Sequence, residues 1–143
     1  MLYTPLTRKA LNIAAKAHEG QTDRAGVPYI VHPVIVADNV EGGELETCAA
    51  LLHDVVEDTD WTIEALAQEG FPVEVTDALK LLTHQSGMPY MEYVAAVKEN
   101  PVARAVKLSD LVHNMDLGRL PEVTDKDRAR VEKYSKAREF LLS

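Results

Sequence analysis

Residues 48–58 contain the densest group of chemically reactive side chains in this sequence. On a helical wheel of about 100° per residue, His53, Asp54, Glu57 and Asp58 share one polar arc, opposite a broad apolar arc. A solvent-facing arc usually mixes Lys or Arg with its carboxylates, whereas three uncompensated carboxylates repel one another unless a cation is present. Two interpretations therefore stay open: a solvated helix face, and a surface that binds a metal ion.

A second polar line runs along the apolar segment 102–117. Lys107, Asp110 and Asn114 fall on one narrow face of a helix whose other residues are mostly apolar. Such a helix is expected to be largely buried, and a buried carboxylate is costly without a partner. Either a metal ion or Lys107, one turn away, would satisfy Asp110.

Histidines are the remaining candidate ligands. His32 stands directly before Pro33, and the residue before a proline is expected to have extended backbone, which limits where its ring can point. This restriction suits a metal ligand, although a lone histidine is more often a hydrogen-bonded structural residue. For His18, His84 and His113 we expect a structural or supporting role.

The whole chain has the size and composition of one globular domain. It contains 143 residues with a formal net charge of −8, which disfavours sequence-independent binding to nucleic acid but leaves a small anionic ligand possible. Because Cys48 is the only cysteine, an internal disulfide and a zinc site of several thiolates are excluded, and a metal would need His and carboxylate ligands. With no membrane-spanning or signal-peptide pattern, we expect a cytoplasmic protein.

The pattern of apolar residues, caps and breakers predicts an all-α fold without strands. The first helix is expected to have Thr4 as its N-cap and Pro5 at its first position, and to end at Gly20. A loop then leads to a short helix that is closed by Gly42 and Gly43. The predicted helices after the first cover residues 35–40, 44–58, 61–70, 73–84, 91–100, 102–117 and 124–142.

His32, the pair His53-Asp54, and Asp110 have the order and spacing of the HD-domain metal-dependent phosphohydrolases. The segments YIVHP, ALLHDVVEDT and VKLSDLVHNM resemble motifs of the (p)ppGpp hydrolase domains of the Rel/SpoT group and of the small stand-alone SpoT-homologue hydrolases. The resemblance implies a single all-α HD domain over residues 1–143, in which these four residues bind one divalent ion, typically Mn²⁺. Mixed imidazole and carboxylate ligands also accommodate Fe²⁺, Co²⁺, Ni²⁺ or Zn²⁺.

The same resemblance implies roles for other residues. A bound divalent ion lowers the pKa of water, and Glu57 and Asp58 match the acidic pair that would orient or deprotonate the attacking water and protonate the leaving oxygen. Asn114 would hydrogen-bond the sugar or base of a nucleotide. The candidates for phosphate contacts are Arg24, Lys107, Arg130 and Tyr134.

Three positions depart from the pattern of the alarmone hydrolases. Asp23 precedes Arg24 where those enzymes carry consecutive basic residues, Leu111 follows Asp110 where they have Arg or Lys, and Asp116 stands where they have another Arg. The changes leave the metal ligands intact and affect the residues that would recognise the base and the phosphates.

The sequence therefore predicts a metal-dependent nucleotide phosphohydrolase, with guanosine 3′,5′-bis(diphosphate), ppGpp, as the expected substrate and GDP plus pyrophosphate as products. One alternative is an HD phosphohydrolase for another nucleotide, including a phosphorylated dinucleotide. Another is a metal-containing module that senses a nucleotide without cleaving it, and a third is a metal that only pins helices together. The sequence does not determine the oligomeric state.

Overall fold

A computed structural model describes residues 1–143, and it contains nine α-helices and no β-strand. The all-α prediction is therefore confirmed. None of the helices is both long and apolar enough to cross a membrane. The helices are α1 (Pro5–Ala17), α2 (Val31–Asn39), α3 (Glu44–Leu52), α4 (Val55–Asp58), α5 (Ile63–Gln68), α6 (Val73–Leu82), α7 (Tyr90–Lys98), α8 (Pro101–Asn114) and α9 (Asp125–Leu142).

Helices α3 and α8 form the centre of the fold. Every residue of α3 from Thr47 to Leu52 is buried, and α1, α2, α6 and α8 pack around it. Helix α8 also contacts α6, α7 and α9, and it buries Ala103, Val106 and Leu111 in the same core. Polar residues on these two helices are therefore held by rigid, densely packed backbone.

The N-terminal ends of α1 and α9 follow the sequence prediction, whereas α1 ends at Ala17 instead of the predicted Gly20. The Thr4 hydroxyl accepts a hydrogen bond from the Thr7 backbone N–H at 3.1 Å, and Pro5 occupies the first turn of α1. At α9, the Asp127 carboxylate accepts a hydrogen bond from the Thr124 N–H at 2.9 Å, and the Thr124 hydroxyl accepts one from the Asp127 N–H. Each pair satisfies backbone donors that have no partner within the helix.

The prediction that His32 lies on extended backbone is wrong. Helix α2 begins at Val31, so that His32 and Pro33 lie in its first turn. Proline is tolerated there because the first N–H groups of a helix have no intrahelical acceptor, and the structure places the residue before it in helical conformation as well. The orientation of His32 is therefore set by a helix.

The predicted helix over 44–58 is interrupted at His53 and Asp54, which form a turn between α3 and α4. His53 Nδ1 lies 2.6 Å from the Ala50 carbonyl oxygen. In a continuous α-helix that carbonyl would accept the backbone N–H of Asp54. The imidazole thus takes the place of one helical hydrogen bond and interrupts the predicted helix, although His53 and Asp54 keep αR backbone angles and α4 follows at once.

The predicted helix over 102–117 also ends early, at Asn114. The Asp116 carboxylate accepts a hydrogen bond from the Gly118 N–H at 3.0 Å and caps a short 3₁₀ turn over Leu117–Arg119. Asp is favoured at such positions because its short side chain can bond to nearby backbone N–H groups.

Replacing Leu111 tests the packing of α8. Because Leu111 is fully buried, Leu111→Ala is expected to lower the free energy of unfolding by about 2–5 kcal/mol. The neighbouring Val112 is 54% exposed, so Val112→Ala is the matched control, with an expected change within about 0.5 kcal/mol. Chemical denaturation of the variants and the parent measures both values; equal effects would contradict the packing.

Candidate active site

Three helices bring the four predicted metal ligands together. His32 comes from α2, His53 and Asp54 from the turn after α3, and Asp110 from α8. The Asp110 Oδ1 atom lies 2.9 Å from His32 Nε2 and 3.4 Å from His53 Nε2. Asp54 Oδ2 lies 3.1 Å from His53 Nε2 and 3.6 Å from His32 Nε2. Ligand atoms of His32, His53 and Asp110 thus lie within 4.8 Å of one another, and Asp54 borders this group through the two imidazole nitrogens.

Each of the two histidine rings is oriented by a contact at its Nδ1 atom. His53 Nδ1 donates to the Ala50 carbonyl oxygen, so its Nε2 faces the cluster, where the buried nitrogen has no hydrogen-bond partner of suitable geometry. His32 Nδ1 lies 2.7 Å from His113 Nδ1, with the two rings stacked. Metal-binding histidines are commonly fixed by a hydrogen bond at the ring nitrogen that does not bind the ion. His113 thus has the supporting position that the sequence predicts for it.

The two carboxylates are held equally firmly. Lys107 Nζ donates to Asp110 Oδ2 at 2.8 Å, and Asn114 Nδ2 donates to Asp110 Oδ1 at 3.0 Å. The Tyr29 hydroxyl donates to Asp54 Oδ2 at 2.6 Å. Sequence reasoning missed Tyr29, although it lies three residues before His32 in the YIVHP motif.

The electrostatic character of the cluster favours a cation. Although burial opposes it, His53 lowers the pKa of Asp54 to about 2, and Lys107 holds the pKa of Asp110 well below its usual range. Burial lowers the pKa of the His53 imidazole, but Asp54 and Asp110 more than reverse this effect and raise it well above the ordinary value. A pocket that holds extra positive charge so firmly, with an unpartnered imidazole nitrogen inside it, suits a divalent metal ion. The residues present therefore fit the ion that the resemblance implies.

Glu57 and Asp58 lie on α4, which the turn at His53 and Asp54 positions beside the cluster. Partial burial is the largest cause that raises the pKa of both side chains, and the negative charge of Asp54 raises it further. Neither forms a salt bridge or a side-chain hydrogen bond. Both are therefore accessible carboxylates with a raised proton affinity, which is the property that proton transfer near neutral pH requires.

A cleft of about 490 Å³ opens beside the cluster. His32 and Asn114 line its inner end, whereas Glu57, Asp58 and Lys107 do not contribute to its wall. The other polar residues of the wall are Thr22, Asp23, Arg24, Tyr29, Arg119, Asp127, Arg130 and Tyr134. Among the predicted phosphate contacts, the structure thus places three in the cleft and leaves Lys107 bound to Asp110.

Two of the cleft arginines are anchored by one buried carboxylate. Asp127 Oδ1 lies 2.6 Å from Arg24 Nη1 and 3.0 Å from Arg130 Nη1. Hydrogen bonds from Thr124 and then from Arg24 lower the pKa of Asp127 to about 2. Asp127 was missed in the sequence, where it reads only as a helix-capping acid. Because each guanidinium has five N–H donors, both arginines keep donors for a ligand.

The three departures from the hydrolase pattern have structural explanations. Asp23 Oδ1 accepts hydrogen bonds from the backbone N–H groups of Ala25 and Val27, at 2.8 and 3.0 Å, and organises the loop before α2. Asp116 caps the 3₁₀ turn, and Leu111 is a core residue. Arg119, which the sequence analysis did not single out, lies at the end of that turn in the cleft wall.

Neither of the remaining histidines belongs to the cluster. His18 is buried next to Tyr29 and bonds Gln21 through Nδ1 at 2.9 Å, whereas His84 stacks on Tyr93.

Comparison with known proteins agrees with this geometry. A family model described as "HD domain" matches residues 10–108, which is more than half of the chain. The chain belongs to the HD-domain family. In this HD domain the family match covers His32, His53 and Asp54 and stops two residues before Asp110.

Curated relatives of this HD domain carry names from alarmone metabolism. Guanosine-3′,5′-bis(diphosphate) 3′-pyrophosphohydrolase of Haemophilus influenzae is 38% identical over 117 residues, covering 72% of this chain and 17% of that protein. Bifunctional (p)ppGpp synthase/hydrolase SpoT of Escherichia coli is 36% identical over 123 residues, covering 76% and 17%. Probable GTP pyrophosphokinase of Mycobacterium leprae is 35% identical over 122 residues, covering 77% and 15%. The chain thus spans 15–17% of the length of these relatives.

A solved structure resembles the HD domain along nearly its whole length. It is described as a metazoan ortholog of SpoT that hydrolyzes ppGpp, and it matches with a TM-score of 0.78 and 26% sequence identity. The match covers 99% of this chain and 88% of that one. The predicted HD fold is therefore confirmed.

Metal binding is expected to stabilise the protein. An ion that binds only the folded state adds about 2.7 kcal/mol at a free concentration 100-fold above its Kd. Added Mn²⁺ should therefore raise the melting temperature of the metal-stripped parent, and chelation should reverse the rise. Asp54→Asn should abolish the response, whereas Asp77→Asn, on the exposed surface of α6, should retain it. A full response in Asp54→Asn would exclude the proposed cluster.

Asp127 is expected to make stability depend on pH. Its pKa is lowered in the folded state from 3.8 to about 2, so the carboxylate stabilises the fold above its unfolded-state pKa and loses this contribution as the pH falls towards 2. Asp127→Asn should thus be less stable than the parent at pH 7, and the gap should close between about pH 4 and pH 2. Asp125→Asn, two residues earlier on the exposed side of α9, is the control. A pH-independent gap in urea denaturation would contradict the assignment.

Proposed function

We propose that this HD domain is a metal-dependent nucleotide phosphohydrolase that converts ppGpp to GDP and pyrophosphate. The observation that carries the proposal is the continuity between the ligand cluster and the cleft. His32 belongs to both, and Asn114 lines the cleft while it bonds to Asp110. The names of the bacterial relatives and the described activity of the metazoan SpoT ortholog support ppGpp as the substrate.

His32, His53, Asp54 and Asp110 would hold one divalent ion. When bound, the ion supplies Lewis-acid stabilisation of phosphate charge and lowers the pKa of water. We propose Mn²⁺, because carboxylates suit this ion and the resemblance is to hydrolases that typically use it. The two imidazoles also accommodate Fe²⁺, Co²⁺, Ni²⁺ and Zn²⁺, which the assay below compares.

The reaction requires two proton movements. The bond between the ribose 3′-oxygen and phosphorus breaks, water supplies a hydroxyl group to phosphorus, and the 3′-oxygen receives a proton. We assign these movements to Glu57 and Asp58, because both are accessible, without a salt-bridge partner, and raised in pKa by partial burial and by Asp54. One carboxylate would take the proton of the water and the other would deliver a proton to the leaving oxygen.

The cleft supplies contacts for the rest of the nucleotide. Asn114 uses one amide hydrogen for Asp110, so its amide oxygen is free to accept a hydrogen bond from a sugar hydroxyl. Arg24 and Arg130, oriented by Asp127, would bind phosphate oxygens, and the half-buried Tyr134 would complete the wall beside them. Lys107 would contribute through Asp110, whose charge and orientation it fixes.

A product assay tests the substrate. Metal-stripped protein is supplied with each divalent ion and incubated with ppGpp, pppGpp, NADPH and ordinary nucleotides, and products are separated by chromatography. We expect GDP and pyrophosphate from ppGpp with the Mn²⁺-loaded parent, and no product from Asp54→Ala. If only another compound is turned over, the assignment of ppGpp as the substrate is wrong, and the assignment as a hydrolase stands. Metal binding without any turnover would indicate a sensing module.

Replacing the acidic pair tests the proton transfers. Glu57→Gln and Asp58→Asn are each expected to lower kcat by about 10²- to 10⁴-fold, the usual contribution of general acid or base catalysis. Metal-induced stabilisation should persist in both variants because neither side chain belongs to the ligand cluster. Glu64→Gln, in the first turn of α5, is the matched control with unchanged kcat. If both variants keep parental kcat, the acidic pair has no part in the reaction.

A further inference from the structure

Arg119, in the cleft wall, has a guanidinium nitrogen without a hydrogen-bond partner. Its side chain is only 21% exposed, and it makes no side-chain hydrogen bond with the protein. Its Nε is buried without a partner, and its one ion pair, from Nη1 to Asp23 Oδ2, is long at 3.8 Å. Arg24 and Arg130, by contrast, are both anchored to Asp127. A buried N–H without an acceptor is costly, and the remaining donors of Arg119 have only one long contact, so the geometry favours an anionic acceptor in the cleft.

Two acidic residues lie next to this arginine, one in the turn that carries it and one facing its guanidinium. Asp116 caps the 3₁₀ turn that carries Arg119 towards the cleft, and Leu117 at the start of the turn also lines the wall. Asp23 uses Oδ1 for two backbone N–H groups of its loop, which leaves Oδ2 facing Arg119. Two of the departures from the alarmone hydrolase pattern therefore act together on one cation.

Charge and position favour a phosphate group as the acceptor. The chain has a net charge of −8, so a cleft that takes a polyphosphate needs a local excess of cations. A planar guanidinium can bind two phosphate oxygens at once, and a single 3.8 Å contact with Asp23 is weak enough to be exchanged. The inner end of the cleft, at His32 and Asn114, is already assigned to the phosphate that is cleaved.

We propose that Arg119, on the 3₁₀ turn that Asp116 caps, forms a second phosphate-binding subsite in this cleft, which takes the 5′-diphosphate of the substrate in exchange for the weak contact with Asp23. This inference rests on the proposed function for the orientation of the nucleotide. Arg119 is then a specificity residue. Nucleotides that carry a 5′-diphosphate in addition to the 3′-diphosphate bind more tightly because of Arg119, whereas nucleotides without the 5′-diphosphate do not.

The test compares two nucleotides that differ only in the 5′-diphosphate: ppGpp and guanosine 3′-diphosphate. Titration calorimetry uses Mn²⁺-loaded protein with Glu57→Gln, so that hydrolysis is suppressed. Adding Arg119→Gln should weaken ppGpp binding about 10- to 100-fold, the range expected for hydrogen bonds to a charged group, and leave guanosine 3′-diphosphate binding unchanged. Arg119→Lys should recover part of the loss, and Arg128→Gln, on the exposed face of α9, should have no effect.

A second variant is expected to strengthen ppGpp binding instead of weakening it. Asp23→Asn keeps an acceptor oxygen for the loop and removes the negative charge beside Arg119, so ppGpp binding should tighten roughly 3- to 10-fold. The tightening should be smaller when Arg119 is also Gln, because the two side chains act on the same ligand group.

The outcomes separate this inference from the proposed function. If ppGpp binds with the predicted dependence on Arg119 but is never cleaved by the Glu57 parent, the subsite stands and the hydrolase assignment fails. If ppGpp is cleaved and Arg119→Gln leaves its KM unchanged, the hydrolase stands and the subsite is overturned. Equal loss for both nucleotides, or no ppGpp binding by the Mn²⁺-loaded protein, also overturns the subsite.

Discussion

The hydrogen bond between the His53 imidazole and the Ala50 carbonyl determines the arrangement of the site. It takes the carbonyl that would otherwise continue α3, so the helix ends and the next two residues form a turn. The turn brings Asp54 Oδ2 to 3.1 Å from Nε2 of its sequence neighbour His53. Helix α4 follows directly after the turn and carries Glu57 and Asp58, whose pKa values the Asp54 carboxylate raises. One side-chain to backbone bond thus orients a ligand, breaks a helix and places the acidic pair.

The second half of the site depends on charge balance inside the core. Asp110 lies on the central helix α8 and is almost completely buried, where a lone carboxylate would be strongly destabilising. Lys107 and Asn114, one turn before and after it, supply hydrogen bonds to both of its oxygens. Because these two hydrogen bonds offset the cost of burial, the Asp110 carboxylate can lie on a core helix and face the imidazoles of His32 and His53. The ligand geometry is consequently held by the same packing that stabilises the fold.

In the cleft, carboxylates organise the cations that an anionic substrate needs. Asp127 holds Arg24 from the loop before α2 and Arg130 from α9, and Asp23 faces Arg119 from the 3₁₀ turn. Asp127 reduces the net positive charge of the cleft but fixes two guanidinium groups that would otherwise move freely in solvent. An acidic protein can in this way present preorganised donors to a polyphosphate, because binding then costs little side-chain entropy.

The sequence by itself determined the all-α fold, the caps at Thr4 and Thr124, and the four residues that converge as candidate ligands, because helix caps and short motifs are local properties of the chain. It did not determine the end of α3 at Leu52 or the helical backbone of His32, since both depend on a side-chain contact or on packing that no periodicity records. The pairing of Arg24 with Asp127 joins positions about a hundred residues apart, and only the tertiary structure decided it. The same holds for Tyr29 on Asp54 and for Arg119 in the cleft, because proximity in space, rather than residue type, gives these side chains their role.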